Sequence, residues 1–326
     1  MPRRLAITVE VRLILLQSSR MQLATTAIVP VVFILVLGAV LRRRTLNDPG
    51  FWRGLEWMSY WVFTPALFVA SIAATDLGSV SIGLLVFGLA VPIGGTGLLV
   101  IALRKVLRVD GPQLTSLIQG SIRINTYIGL VFASALHGAQ GVATFAIAAA
   151  VVVPLVNIIS VTALSIWGEA DPARRSGPWR ELVFNPLILG CLAGLGLNLS
   201  GVGLGEVLAA PIQLLASPAL MCGTLAAGAA ITLQLRLRDA FDIGMASILK
   251  LVALPLLAGA LAHALGVTGA VLASIVIICA LPTAPSAYIL ATRMGGDTRL
   301  MASITGVQTI LATITLPGVL MLTGIM

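Results

Sequence analysis

"IVIICALPTAPSAYILATRMGGD" (residues 275–297) opens as an apolar run and then places Pro282 and Pro285 around Thr283 and Ala284. A proline inside a helix removes a backbone hydrogen bond and clashes with the carbonyl four residues earlier. Two prolines within four positions predict an unwound segment in an otherwise apolar helix. Inside a bilayer such a break is tolerated only where protein or a water-filled cavity satisfies the freed backbone groups. The stretch therefore predicts a broken membrane helix beside a cavity.

The composition agrees. The 326-residue chain is 58% apolar and only 10% charged, with a mean hydropathy of +1.06. A soluble domain is roughly 45–50% apolar and about 25% charged, so this is an all-α polytopic membrane protein. The formal charge of +8 does not point to nucleic acid, because basic residues of membrane proteins gather in cytoplasmic loops and meet anionic lipid there. Cys191, Cys222 and Cys279 are isolated within apolar runs and read as small packing residues. With only His137 and His263 besides, no metal site, cofactor site or Ser-His hydrolase is expected.

At about 20 apolar residues per crossing, the pattern predicts ten transmembrane helices, over residues 22–41, 55–75, 81–103, 113–136, 142–167, 181–198, 207–235, 244–264, 270–292 and 299–324. The linkers after odd-numbered spans hold Arg42, Arg43, Arg44, Arg53, Arg104, Lys105, Arg108, Arg174, Arg175, Arg180, Arg236, Arg238, Arg293 and Arg299, whereas those after even-numbered spans and the C-terminus hold no Lys or Arg. By the positive-inside rule both ends of the ten-span unit face outward from the cell (inner) membrane. "MPRRLAITVEVRLILLQSSR" (1–20) breaks this rule with four arginines, and charge interrupts it too often for a signal peptide. The expectation is a start at Met21 with residues 1–20 an upstream extension; a surface amphipathic helix is the alternative.

Five spans lie on each side of the linker 168–180, and the two halves, 21–167 and 181–326, repeat their punctuation in order. Pro30 and Gly38 match Pro186 and Gly194; "TPAL" (64–67) matches "SPAL" (217–220); Pro92 matches Pro255; Pro154 matches Pro317. An odd number of spans per half makes the second insert upside down. Inverted repeats of this kind build secondary transporters, with substrate bound near the midplane at discontinuous helices.

By order, span nine is paired with span four, which carries "GSIRINTYIGL" (120–130). Arg123 lies about ten residues into that span, or about 15 Å at 1.5 Å per residue, close to the midplane. A charge there costs about 2.5–3.5 kcal/mol on insertion scales and turns to a cavity or a partner. A guanidinium suits a carboxylate. Arg123 therefore either holds an organic anion or braces the carbonyls of the broken span nine, and no Asp or Glu is expected at its depth. If span four is helical throughout, Ser116, Gln119, Arg123 and Thr126 share a face. Asn125 either caps the following half-helix or contacts substrate. Thr283 and Ser286 are the matching polar candidates in span nine. Thr64 and Ser217, before the helix breaks expected at Pro65 and Pro218, are expected to back-bond to their own helices. Gln308 and Asn157 are expected to tie helices together.

These strings, with "FILVLGAVLRRRTL", "WMSYWVFTPALFVASIA" and "NPLILGCLAGLGLNLSG", resemble the auxin efflux carrier family of membrane transporters, bacterial permeases included, over nearly the whole chain from Met21. The resemblance implies a ten-helix elevator-type carrier similar to bile-acid transporters and sodium-proton antiporters. In that fold broken spans four and nine cross, and spans one, two, six and seven form a scaffold. It places Asn125 on the family's span-four asparagine and Pro282 or Pro285 on the crossover proline, and it suggests a homodimer. Many members carry a proline after "GL" in span four where this chain has Val131. The break there is accordingly expected to be less sharp and to rely on Gly129 and the polar cluster. The function expected is carriage of a small mono- or dicarboxylate by alternating access, coupled to sodium or protons, with no enzymatic activity. A sensor or channel on the same fold is the alternative.

Overall fold

A computed structural model describes residues 29–76, 82–169, 183–231, 236 and 239–325. The extension 1–20, the start at Met21, the linker past Glu169 and Arg238 lie outside these residues. Helix α1 covers residues 29–44. Helix α2 (Pro49–Met58) starts at Asp48, whose carboxylate accepts from the amides of Gly50 at 2.8 Å and Phe51 at 3.1 Å. These backbone bonds hold the Asp48 carboxyl below its ordinary pKa of 3.8. A π turn, Ser59–Phe63, leads into α3 (Thr64–Ala73). The break expected at Pro65 does not occur: the Thr64 amide reaches back five residues to Ser59 O, and the widened turn makes room for the ring.

Helix α4 (Ile82–Ala102) is followed, past a single helical turn at Arg104–Leu107, by α5 (Gly111–Ile122). A capping box opens α5, with Asp110 Oδ1 accepting from Gln113 N at 2.8 Å and Gln113 Oε1 from Asp110 N at 3.2 Å. The helix stops at Ile122, because Arg123 is extended (φ −69°, ψ 157°). Asn125 then opens α6 (Thr126–Trp167), and its side chain accepts from Tyr127 N. Non-helical backbone at His137 and Gly138 divides α6 into two arms; Gly138 has φ 55°, a conformation favouring glycine. The arms fold back on each other closely. A Cβ on Gly129 would strike the Phe145 ring, and one on Gly141 the Ala133 carbonyl.

The second half begins with α7 (Pro186–Leu199), capped by Asn185 Oδ1 on the amides of Leu187 and Ile188. Within the span expected over 207–235, of which 232–235 lie outside the described residues, α8 (Gly205–Ala216) and α9 (Ala219–Ala229) follow each other with the expected break at Ser217 and Pro218. Pro218 thus breaks its helix while its sequence counterpart Pro65 does not. Helix α10 (Ala240–Ile248) passes through a second π turn, Leu249–Ala253, into α11 (Leu254–Ala264), where Leu254 N bonds Leu249 O ahead of Pro255. Helix α12 (Gly269–Ala280) ends at the double-proline segment, α13 (Ser286–Met294) resumes, and α14 (Thr298–Leu322) completes the chain. Asp297 caps α14 on Leu300 N at 2.9 Å. Arg299 pairs with Asp239 ahead of α10 and lies 3.7 Å from Asp297.

By length and apolarity, five stretches among the described residues can cross a membrane: Ile82–Ala102, Gly111–Trp167, Val207–Ala229, Ala240–Ala264 and Thr298–Leu322. The protein is a multi-pass, all-helical membrane protein. Lipid is as apolar as leucine, so close packing rather than water exclusion joins helices there. Small residues accordingly sit at the crossings. Gly38 and Gly228 bring α1 and α9 into backbone contact, and Gly190 and Gly194 do so for α7 against α3. Helix α12 runs through the interior, with no exposed side chain from Ile275 to Leu281.

Candidate functional site

The two interruptions, Arg123–Asn125 after α5 and Leu281–Pro285 after α12, meet. Asn125 N donates to Pro282 O at 2.8 Å. Thr283 Oγ1 lies 3.1 Å from Gly120 O and 2.8 Å from Gln308 Oε1, while Thr283 N donates to the same Gln308 oxygen at 3.0 Å. Gln308 Nε2 in turn donates to Gly120 O at 2.8 Å. Each of these side chains is fully buried. Two backbone carbonyls at the crossing, Gly120 O and Pro282 O, are thus answered inside the protein.

Against this crossing lies a cavity of about 540 Å³. Its wall takes Arg53, Glu56, Trp57, Tyr60 and Trp61 from α2 and the π turn. It takes Arg123 to Tyr127 from the first interruption and the start of α6, Asn157 from the far arm of α6, and Pro285, Ser286 and Arg293 from the second interruption and α13. Arg123 is 8% exposed; it donates from one terminal nitrogen to Asn157 Oδ1 at 3.0 Å and from the other to Ser286 Oγ at 3.2 Å. Asn157 and Ser286 thereby hold two arms of the fork beside the cavity. Among the described residues Asn125 Nδ2 has no hydrogen-bond partner, and it belongs to a cavity-lining residue that is 1% exposed. The N-terminal ends of α6 and α13, Thr126 and Ser286, reach the same wall, and neither helix has an acidic residue in its first turn. Helix N-termini favour anions. Among the described residues three guanidinium groups and one carboxylate line the cavity. Trp57 stacks on Trp61 at 6.4 Å, and Tyr60 meets Trp61 edge-on at 5.8 Å, so one wall is aromatic. A second depression, about 570 Å³ between α3 and α8, is lined by alanines, glycines and Leu204, with Gln213 its polar side chain.

The structure sorts the candidates expected from the sequence. Arg123, Asn125, Thr126, Ser286 and Pro285 line the cavity; Gln119, Thr283 and Pro282 stand behind its wall. Thr283 is fully engaged in bracing the crossing, and Gln119 is wholly buried in α5. The condition on which Ser116, Gln119, Arg123 and Thr126 would share one helical face is not met, because the helix ends at Ile122 and Thr126 belongs to α6. Gly129 is not the break: it is helical in α6, where a Cβ would meet Phe145 and Leu281. The break needs neither glycine nor the missing proline, since Asn125 caps the helix beyond it. Glu56 also lines the cavity with Arg123. Ser217 does back-bond, donating to Leu214 O at 3.0 Å, and Gln308 does join helices. Asn157 both joins helices and lines the cavity.

Sequence reasoning missed Arg53, Glu56, Trp57, Tyr60 and Arg293, having counted the two arginines as loop charges. A signal was present. Residues 53, 56, 57 and 60, and likewise 286, 289, 290 and 293, fall at helical spacings of three and four, which marks one face of α2 and one of α13.

Among known families, residues 23–320 match the one described as membrane transport protein. Comparison with curated proteins finds none that matches.

Proposed function

Given that this chain belongs to the auxin efflux carrier family of membrane transport proteins, we propose that it is a secondary carrier for a small organic anion. The substrate class is a mono- or dicarboxylate bound in the cavity beside Arg123. The observation that carries this reading is the position of Arg123. Its guanidinium is fixed by Asn157 and Ser286 beside a cavity that also receives two helix N-termini and the unpartnered Asn125 amide. Each of these groups favours negative charge, and together they suit a carboxylate's two oxygens. Arg53 and Arg293 come from segments expected on the cytoplasmic side, which supports an inward-facing state with the cavity mouth on that side.

In this reading the ten predicted spans form two inverted repeats, 21–167 and 181–326, with both ends outward in the inner membrane. Helices α1, α2, α3, α7, α8 and α9 are the scaffold, and the crossing moves against it in an elevator-type cycle. The close glycine contacts of α1 with α9 and of α3 with α7 support a rigid scaffold. The test is reconstitution into liposomes with a panel of labelled mono- and dicarboxylates. Saturable counterflow of at least one anion is the expected result; conductance far above carrier turnover, without counterflow, would make the protein a channel.

A further inference from the structure

Lys250 projects from the π turn between α10 and α11 into the interior, with no part of its side chain exposed. Its Nζ donates to Cys279 O at 3.0 Å and to Ile278 O at 3.4 Å. Both carbonyls belong to the last turn of α12, whose final four carbonyls lack intrahelical partners and form the negative end of the helix dipole. Leu281, the residue after that helix, is already extended (φ −65°, ψ 143°). The next carbonyl, Pro282 O, takes the Asn125 amide at 2.8 Å. The helix end gripped by Lys250 is therefore joined through two residues to the loop that lines the cavity. The corresponding end of α5 is met by neutral donors, the Thr283 hydroxyl and the Gln308 amide on Gly120 O.

Two carbonyl oxygens at the negative end of a buried helix are ligands suited to a monovalent cation. We propose that the Lys250 ammonium is the resident cation of the crossing. It occupies the place at which free Na⁺ or K⁺ would neutralise the end of α12, so anion transport needs neither ion. This inference rests on the carrier reading above. Lys250 does not touch the cavity and is a positioning residue: its charge fixes the end of α12, and through Pro282 the Asn125 loop.

The test has two arms on the purified full-length protein. In proteoliposomes, counterflow is compared in NaCl, KCl and N-methylglucamine chloride, for the wild type and Lys250→Met. Wild-type flux is expected to be the same in all three salts within about twofold, and flux through the methionine variant to be at least tenfold lower. In detergent, thermal unfolding is followed in choline, sodium and methylammonium chlorides at matched ionic strength. The wild-type melting temperature is expected to be indifferent to the cation. Lys250→Ala is expected to melt lower and to be raised saturably by methylammonium, which refills the vacated place; Lys250→Met, with a neutral chain still there, is expected to melt lower without that rescue. A merely structural side chain gives no cation-selective rescue. A saturable Na⁺ or K⁺ requirement in the wild type would overturn the proposal, as would wild-type behaviour of Lys250→Met or a folded Lys250→Ala that methylammonium does not raise. If Lys250→Ala does not fold, Lys250→Met and the wild-type salt series decide. If no anion in the panel is carried, the carrier reading fails while the melting arm still judges Lys250.

Discussion

Helices α5 and α12 end at the same crossing, both twelve residues long, and each stops in extended backbone. Their ends are nevertheless held by different chemistry. Gly120 O of α5 sits in a closed set of neutral bonds with Thr283 and Gln308, whereas the carbonyls of Ile278 and Cys279 on α12 are met by an ammonium. A neutral network is directional and costly to leave half made. A charge is less directional and answers the helix dipole as a whole. The comparison separates two tasks, since the α5 side fixes geometry and the α12 side supplies the balancing charge.

Substitutions can break the two sides separately. Gln308→Leu strikes the neutral side hardest, because it strips partners from both Thr283 N and Gly120 O. Leaving buried groups unpaired is expected to cost about 3 kcal/mol, read as a lowered thermal midpoint in detergent. Gly129→Ala strikes the other side, driving a methyl between Phe145 and Leu281, the residue that ends α12. Overpacking of this kind is expected to cost about 2 kcal/mol, and Phe145→Leu in the same chain should recover part of it. Asn125→Ala removes the cap of α6 and the amide facing the cavity. A loss of about 1 kcal/mol in stability is expected, with a weaker affinity for anion that Gln308→Leu, away from the cavity wall, does not reproduce by direct contact. The smallest effect is expected at the exposed Asp48, outside the crossing. Its cap is fully present above the ordinary carboxyl pKa of 3.8 and is lost as pH falls through its lower folded value. Faster hydrogen exchange of the Gly50 and Phe51 amides in acid, with the crossing amides unchanged, is the measurement.

The double-proline break was legible in the sequence because two prolines within four residues leave a helix no way through. The break after α5 was legible only from order and polarity: capping of the following half-helix by Asn125 was one of the two readings its residue type allowed, whereas reliance on Gly129 was not met. Capping by Asn125 needs no proline or glycine, and Gly129 serves packing instead. Pro65 and Pro218 show the limit of motif matching. The same "PAL" follows Thr64 and Ser217, yet a π turn absorbs the first proline and the second interrupts its helix. A π turn depends on neighbours along the whole helix, so two identical tripeptides do not encode the difference. Lys250 escaped notice because a lone lysine within an apolar stretch marks no motif, and its partners are backbone carbonyls 28 and 29 residues away. Arg53 escaped because a span boundary drawn by hydropathy at residue 55 left it in the loop, and Glu56 because, just inside that boundary, it was read as lying away from the depth of Arg123.

The carrier reading turns on Arg123 receiving the carboxylate of the transported anion. The direct measurement is the concentration dependence of counterflow for Arg123→Gln against the wild type, on the best substrate of the panel, with folding checked by thermal unfolding. Glutamine keeps hydrogen-bonding groups for Asn157 and Ser286 and removes the charge. A rise of at least tenfold in the half-saturating concentration is predicted. Unchanged flux at unchanged half-saturation would contradict that role and leave Arg123 as a brace for the crossing alone.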